Sequence, residues 1–358
     1  MVAHIRELSI NRHKWIDAED FKNGIALCQS IPGATAIQMA AYVGLKAGGV
    51  VGALASYVGF GLPAFILMLT FSILYTRYNN LTEIISLFGG LQVIVVAIIL
   101  HALYTFGKSN IKTLKSAIIA ILSASLFWWG ISPFMVVAGA GFAGVILFQA
   151  HRAASSQSER KDMHWEARKI IILGLILLAS LVVLYVLNAA LFTLAAIMLK
   201  IDLFAFGGGF ASLPLMLHEI VIVKGWMASG TFMDGIALGQ VTPGPIVITA
   251  TFVGYIVLGL AGAVVATIAI FTPSFFMVIA VAPIFDRLRS SPYFTRAIEG
   301  ILASFVGLLL FVFIKFALAV PWDVVRIIFG LAALAALLRK VDILYIVPAG
   351  AVLSMIFL

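Results

Sequence analysis

An all-α membrane bundle is the fold class this sequence predicts, and three observations predict it. The 358 residues are 63% hydrophobic and only 11% charged, well beyond the apolar half and charged quarter of a soluble domain. The apolar runs are continuous: "IILGLILLASLVVLYVLNAALFTLAAIML" has no polar residue at every second place, which excludes an outer-membrane barrel and leaves helices. The third observation is a pair of Pro-Gly interruptions in matching apolar contexts, "GIALCQSIPGATAIQ" (24–38) and "GIALGQVTPGPIVIT" (235–249), with eight identities in fifteen positions.

A spanning helix needs about 20 apolar residues. Twelve candidate segments meet or approach that length: 23–44, 49–76, 84–107, 112–130, 133–150, 170–187, 189–206, 232–257, 258–284, 294–316, 322–338 and 341–358. The two containing Pro-Gly are readable either as broken spans or as re-entrant pairs. The polar interruption 151–169 carries five Lys or Arg against three acids, which favours the cytoplasm. It separates two homologous halves: a first repeat over 1–150, a linker with its connecting helix over 151–188, and a second repeat over 189–358.

The duplication is legible residue by residue. Trp15 pairs with Trp226, Phe21 with Phe232, Gln29 with Gln240 and Pro32-Gly33 with Pro243-Gly244, all at an offset of 211; after a one-residue slip Gly44 pairs with Gly254, Gly49 with Gly259 and Pro63 with Pro273. Seven segments lie between the start of one copy and the start of the next. An odd number of crossings predicts inverted repeats, whereas re-entrant Pro-Gly segments would leave six and parallel repeats. The segment "LFTLAAIMLKIDLFAFGGGFA" (191–211) precedes the second copy, and its counterpart would fall before Met1. The first repeat is therefore expected to be incomplete at its N-terminal side.

The breaks suggest what the bundle holds. Proline removes a backbone donor yet suits the first position of a new helix, and glycine lets the chain turn and approach a ligand closely. Each segment thus reads as helix, break, helix, with second halves starting near Ala34 and Pro245. Their free N–H groups and positive dipole ends face the break and attract an anion, and paired half-helices are the sequence pointer to a transporter's mid-membrane site. Gln29, Ser30, Thr35 and Gln38 beside one break, and Gln240, Thr242, Thr249 and Thr251 beside the other, add neutral donors without a fixed cation. The expected substrate site is Gln29, Pro32, Gly33, Thr35, Gln240, Thr242, Pro243 and Gly244, with Gly207, Gly208 and Gly209 as its wall.

The remaining polar residues have competing readings. Asp234 is either a helix cap or a proton-coupling group. The Gly207–Gly209 run serves either close helix packing or unwinding that exposes backbone donors. Lys200 and Asp202 sit in an apolar segment two positions apart, too close to face each other on one helix, so each needs another partner or an interface. His218 and Glu219 read as surface residues of an interfacial helix, and the single cysteine, Cys28, as packing.

Several classes are disfavoured. The net charge of +8 is spread over short loops rather than one basic face, as in a positive-inside membrane protein and unlike a nucleic-acid binder. No P-loop appears, no metal or other cofactor is called for, and converging deep His, Asp, Glu or Cys residues for an enzyme are missing. Residues and spacing alone support a two-repeat secondary transporter with an anion-friendly centre; a non-transport scaffold is the rival reading.

At "FGGGFASLP", Gly225-Trp226, "ALGQVTPGP" and "TFVGY", with "ALCQSIPGAT" and "QMAAYVGLKAGGVVGALASYVGFGLPAF" in the first half, the sequence resembles the chromate ion transporter family. The resemblance implies efflux of chromate across the cell (inner or plasma) membrane by a multi-pass carrier, with sulfate as a similar competing anion, proton coupling, and a homodimer as the conceivable assembly. It departs from the family in lacking the FGGP motif that normally opens the first half, and in Ala34, where a second proline is common.

Overall fold

The computed structural model describes residues 1–78, 81–149 and 167–357, and every regular element among them is helical. The linker placed at 151–169 falls largely outside the described residues. The chain starts with α1 (Val2–Arg6), which continues as a π-helical turn over Glu7–Arg12, followed by α2 (Ala18–Ser30) and α3 (Thr35–Tyr78). Then come α4 (Thr82–Asn110), α5 (Leu114–Trp128), α6 (Pro133–Leu147), α7 (Ala167–Leu187) and α8 (Ala189–Phe204). The second half holds α9 (Ser212–Met216) with a π turn over Leu217–Val223, α10 (Ser229–Val241), α11 (Thr249–Val281), α12 (Phe285–Ser290), α13 (Pro292–Ala319), α14 (Val324–Leu338) and α15 (Ile343–Phe357). Among the described residues, five helices are long and apolar enough to cross a membrane: Thr35–Tyr78, Thr82–Asn110, Arg168–Leu187, Ile246–Ser290 and Pro292–Ala319.

Local chemistry sets the helix starts. The Asp17 carboxylate accepts from the Asp20 N–H (2.7 Å), Asn188 from the N–H groups of Ala190 and Leu191, and Asp323 from Arg326 N–H (2.8 Å). Thr113 and Ser116 form a reciprocal capping box. Each removes donors that would otherwise be stranded at a helix end.

The duplication extends to backbone irregularities. Helix α3 kinks at Gly48 (φ −147°, ψ 23°) and Gly49 (φ 63°, ψ −157°), and α11 kinks at Leu258 (φ −137°, ψ 24°) and Gly259 (φ 62°, ψ −149°), 210 residues on. The π turns correspond as well. Trp15 N–H donates to Ser9 O at 2.8 Å and Trp226 N–H to Ile220 O at 2.9 Å, while Lys14 and Gly225 both turn through positive φ. Chance does not reproduce a kink, a π turn and its closing hydrogen bond together.

Each repeat folds back on itself twice. A Cβ on Gly24 would lie 2.5 Å from the Tyr42 ring, and one on Gly235 would strike Phe252, so at each Pro-Gly break the chain reverses into a hairpin. At each kink it reverses again: Gly44 packs backbone to backbone on Gly52, and Gly254 on Gly262. Only glycine permits that approach. Around these hairpins α13 crosses α6 at Gly144 and Gly300 and α5 at Ala120 and Gly307, and α4 carries α14 and α15. Helix α7 lies outside, with Ile171, Leu175, Leu178, Val182 and Val186 exposed as a lipid-facing surface requires.

Because a side chain at Gly44 would enter the Gly52 carbonyl, Gly44→Leu is expected to destabilise the detergent-purified protein by at least about 1–3 kcal/mol, the usual cost of overpacking. Gly59→Ala, which meets nothing within 4 Å, is expected to stay within about 0.5 kcal/mol of the parent in the same thermal melt.

Candidate functional site

The first break runs from Ile31 to Ala34 and is buried throughout. Gly33 takes φ +114°, where a side chain is strained, and a Cβ there would collide with Ser274 Oγ. Its N–H donates to Ala205 O at 2.9 Å, and the Gln38 amide donates to Pro32 O at 2.5 Å. Helix α3 begins at Thr35, one residue after the expected start, and its first N–H groups have no acceptor inside the helix. The Gly33 N–H, expected to face a ligand, is instead taken by the chain.

That acceptor, Ala205, opens the turn after α8. Gly207 and Gly208 unwind it at φ +94° and +100°, and Gly209 starts a short 3₁₀ turn. Unwinding is thus the role of the glycine run, with close packing as its accompaniment. A Cβ on Gly208 would lie 3.6 Å from Thr35 Oγ1, and one on Gly209 would lie 2.9 Å from Ile246 Cγ2 and 3.8 Å from the Ile246 N. The turn therefore sits between the two Pro-Gly breaks. Beyond it the chain reverses: Lys200 forms an ion pair with Glu219 at 2.8 Å and lies 3.8 Å above the Phe134 ring, which also meets Phe204 and His218.

The second break spans 242–248: α10 ends at Val241, Pro245 precedes a 3₁₀ turn over Ile246–Ile248, and α11 starts at Thr249, four residues after the expected position. Gly244 touches Ala64, the residue after Pro63, just as Gly33 touches Ser274, the residue after Pro273. These two cross-repeat contacts relate the halves by a pseudo-twofold, pairing each break with the other repeat's proline helix. Gln240 is half-buried, and its amide nitrogen has no partner among the described residues.

Of the predicted site residues, Pro32, Gly33, Thr35, Gly207, Gly208, Gly209, Thr242 and Gly244 come together at this junction, with Gln240 at the end of α10. Gln29 and Pro243 are exposed. The threonine hydroxyls are already donating or shared: Thr242 to Gly239 O, Thr249 to Ile246 O, and Thr251 with Thr267. Asp234 is no helix cap. It lies within α10, and both its oxygens accept hydrogen bonds from the first repeat, from Tyr75 Oη (2.9 Å) and Gln92 Nε2 (2.9 Å). His218 and Glu219 are buried, contrary to a surface placement, because the π turn folds back onto α8 and α6. Cys28 is fully buried, as packing requires.

Sequence reasoning missed Tyr75, Gln92, Tyr57 and Ser274. Gln92 was findable as a lone amide in an apolar helix, a position that lipid does not tolerate without a partner. Ser274 follows the repeated proline whose missing N–H loosens α11. For the two tyrosines the sequence carries no signal beyond their depth.

The family model described as "Chromate transporter" matches residues 1–145 and 192–355. The whole chain is 41% identical to an uncharacterized transporter of Methanocaldococcus jannaschii, covering 89% of it. It is 30% identical, over 85% of this chain and 73% of the relative, to a chromate transport protein of Pseudomonas aeruginosa. Against a chromate transport protein of Cupriavidus metallidurans the identity is 28%, over 92% and 80%. No solved structure matches the chain. Two matched regions carrying the same break, and relatives aligned over 73% to 89% of their own length, place this multi-pass membrane protein in the chromate transporter family.

Proposed function

We propose that the chain is a secondary transporter that carries chromate outward across the cell (inner or plasma) membrane, by alternating access between repeats spanning 1–150 and 189–358. The anion is held where the three helix breaks meet. One observation carries the reading: Gln240 offers an amide N–H with no acceptor among the described residues at a junction where α3 and the Ile246 turn both begin. A donor left empty in a buried setting costs about 1–3 kcal/mol, and a tetrahedral oxyanion supplies what it lacks. The half-helix starts add partial positive charge without a lysine or arginine at depth. The named relatives support chromate as the ion, and sulfate, of the same shape and charge, is its natural competitor.

The hairpins also bear on orientation. If the α2/α3 hairpin and the α8/α9 hairpin both enter and leave on one side, each removes one crossing from the seven counted along the sequence. The spans left between the copies are then the second arm of α3, α4, α5, α6 and α7. Five is odd, so the repeats enter the membrane from opposite faces, and the axis relating them lies in its plane. Asp234 is assigned a structural part in this scheme, since Tyr75 and Gln92 occupy both its oxygens and tie α10 to the first repeat.

Chromate flux into proteoliposomes, with sulfate as competitor, tests the proposal. Gln240→Leu is expected to abolish flux while the protein remains inserted; unchanged flux would remove the junction as the site. Gly33→Ala, strained at φ +114° and pressed on Ser274, is expected to lose flux too. Tyr75→Phe is expected to lower the melting stability by about 1 kcal/mol, the worth of one hydrogen bond, and to leave the ion dependence of transport unaltered.

A further inference from the structure

Asp202 is 1% exposed, in the last turn of α8. Oδ2 accepts the Ser274 N–H at 2.7 Å, a donor turned toward it beside Pro273 in α11. By distance and angle Oδ1 has no hydrogen-bond partner among the described residues, and neither do Ser274 Oγ and Gln38 Oε1, although the Ser274 hydroxyl lies close enough to the Asp202 carboxylate and to Tyr57 to interact with each. All three side chains are essentially sealed from solvent. They belong to one cluster at the first break: a Cβ on Gly33 would strike Ser274 Oγ and lie 2.6 Å from Gln38 Nε2.

Among the described residues, no cation compensates this carboxylate. Lys200, two positions away on α8, is turned to Glu219 and Phe134. The titratable side chain facing Asp202 from α3 is Tyr57, whose hydroxyl donates to Phe271 O at 2.6 Å; Cys28 of α2 lies beyond it, and His218 is held against Phe127 and Phe134. A buried charge in a low-dielectric interior must be paired or neutralised. A metal ion is a poor candidate, because a dehydrated ion takes about six oxygens. The cluster offers three unpartnered side-chain oxygens, Asp202 Oδ1, Ser274 Oγ and Gln38 Oε1, and among the described residues no further His, Cys, Asp or Glu joins it to make a metal site. A proton needs one.

We propose that Asp202, rather than Asp234, carries the proton that couples to anion movement, with Ser274 and Gln38 as its hydrogen-bonding partners at the first break. This rests on the transporter reading above. The step is a proton exchange: Oδ1 binds a proton from the water on one side of the membrane, and the O–H bond breaks to return it on the other. Asp202 is joined to both sides of the junction, since three residues on in its own helix turn Ala205 holds the Gly33 N–H and its Oδ2 holds α11. Its charge state therefore bears on the contact between the repeats.

Two measurements on the full chain test it. In proteoliposomes, Asp202→Asn, which mimics the protonated side chain, is expected to keep chromate-for-chromate exchange and lose accumulation driven by a pH gradient. Asp234→Asn is expected to keep both. An unchanged gradient response in Asp202→Asn, or accumulation driven by a sodium gradient instead, would overturn the proposal. Independently of any flux, infrared difference spectra across pH are expected to show a protonated-carboxyl band that Asp202→Asn removes. If the band survives, Asp202 is not the proton carrier; if wild type moves no oxyanion yet the band is removed, the transport reading fails and the protonation site stands. Should Asp202→Asn not fold, Ser274→Ala is expected to shift the pH midpoint of that band, and an unshifted midpoint counts against the assignment.

Discussion

Everything in this molecule answers to the rule that lipid offers the backbone no hydrogen-bond partner. A chain that interrupts its helices in the membrane must bring each interruption to another. Here three interruptions are brought to one place and serve one another: the Gly33 N–H reaches the Ala205 carbonyl, the Gln38 amide closes the Pro32 carbonyl, and Thr242 and Thr249 return to carbonyls of their own turns. The junction is first a solution to backbone satisfaction. The anion site proposed above rests on the few donors that this accounting leaves over.

Much of this was legible in the sequence, for a physical reason in each case. Proline and glycine act on their own backbone, so breaks at Pro32-Gly33 and Pro243-Gly244, and segment boundaries between 44 and 49 and between 257 and 258, beside the observed kinks, could be placed without knowing any neighbour. Duplication supplied the rest, since two copies at one offset argue for a common shape. What stayed hidden was set by partners far along the chain. Asp234 near the start of α10 resembles a cap until Tyr75 and Gln92 arrive from the first repeat. His218 and Glu219 resemble surface residues until the FGGG turn folds them onto α6 and α8. Gln29 and Gln240 are equivalent by alignment, yet one is exposed and the other half-buried, because the sequence around a residue does not specify what the other repeat packs on it.

The two halves are alike in backbone and unlike in chemistry. Ser274 in the second corresponds to Ala64 in the first, and the Asp234 position in the second to Asn23 in the first. The repeated scaffold thus presents the Ser274 hydroxyl, with Asp202 hydrogen-bonded to the same residue, at one break and an apolar contact at its mate, where Gly244 meets Ala64. On the proposed reading, this symmetric frame with asymmetric contents lets one break engage a proton and the other leave donors for an anion.

The glycine pairs Gly44–Gly52 and Gly254–Gly262 join main chain to main chain, so at those points the two arms have no side chains of their own to repack. On the alternating-access reading proposed above, movement is therefore expected at the seams where these hairpins meet the surrounding helices, and not within the arms.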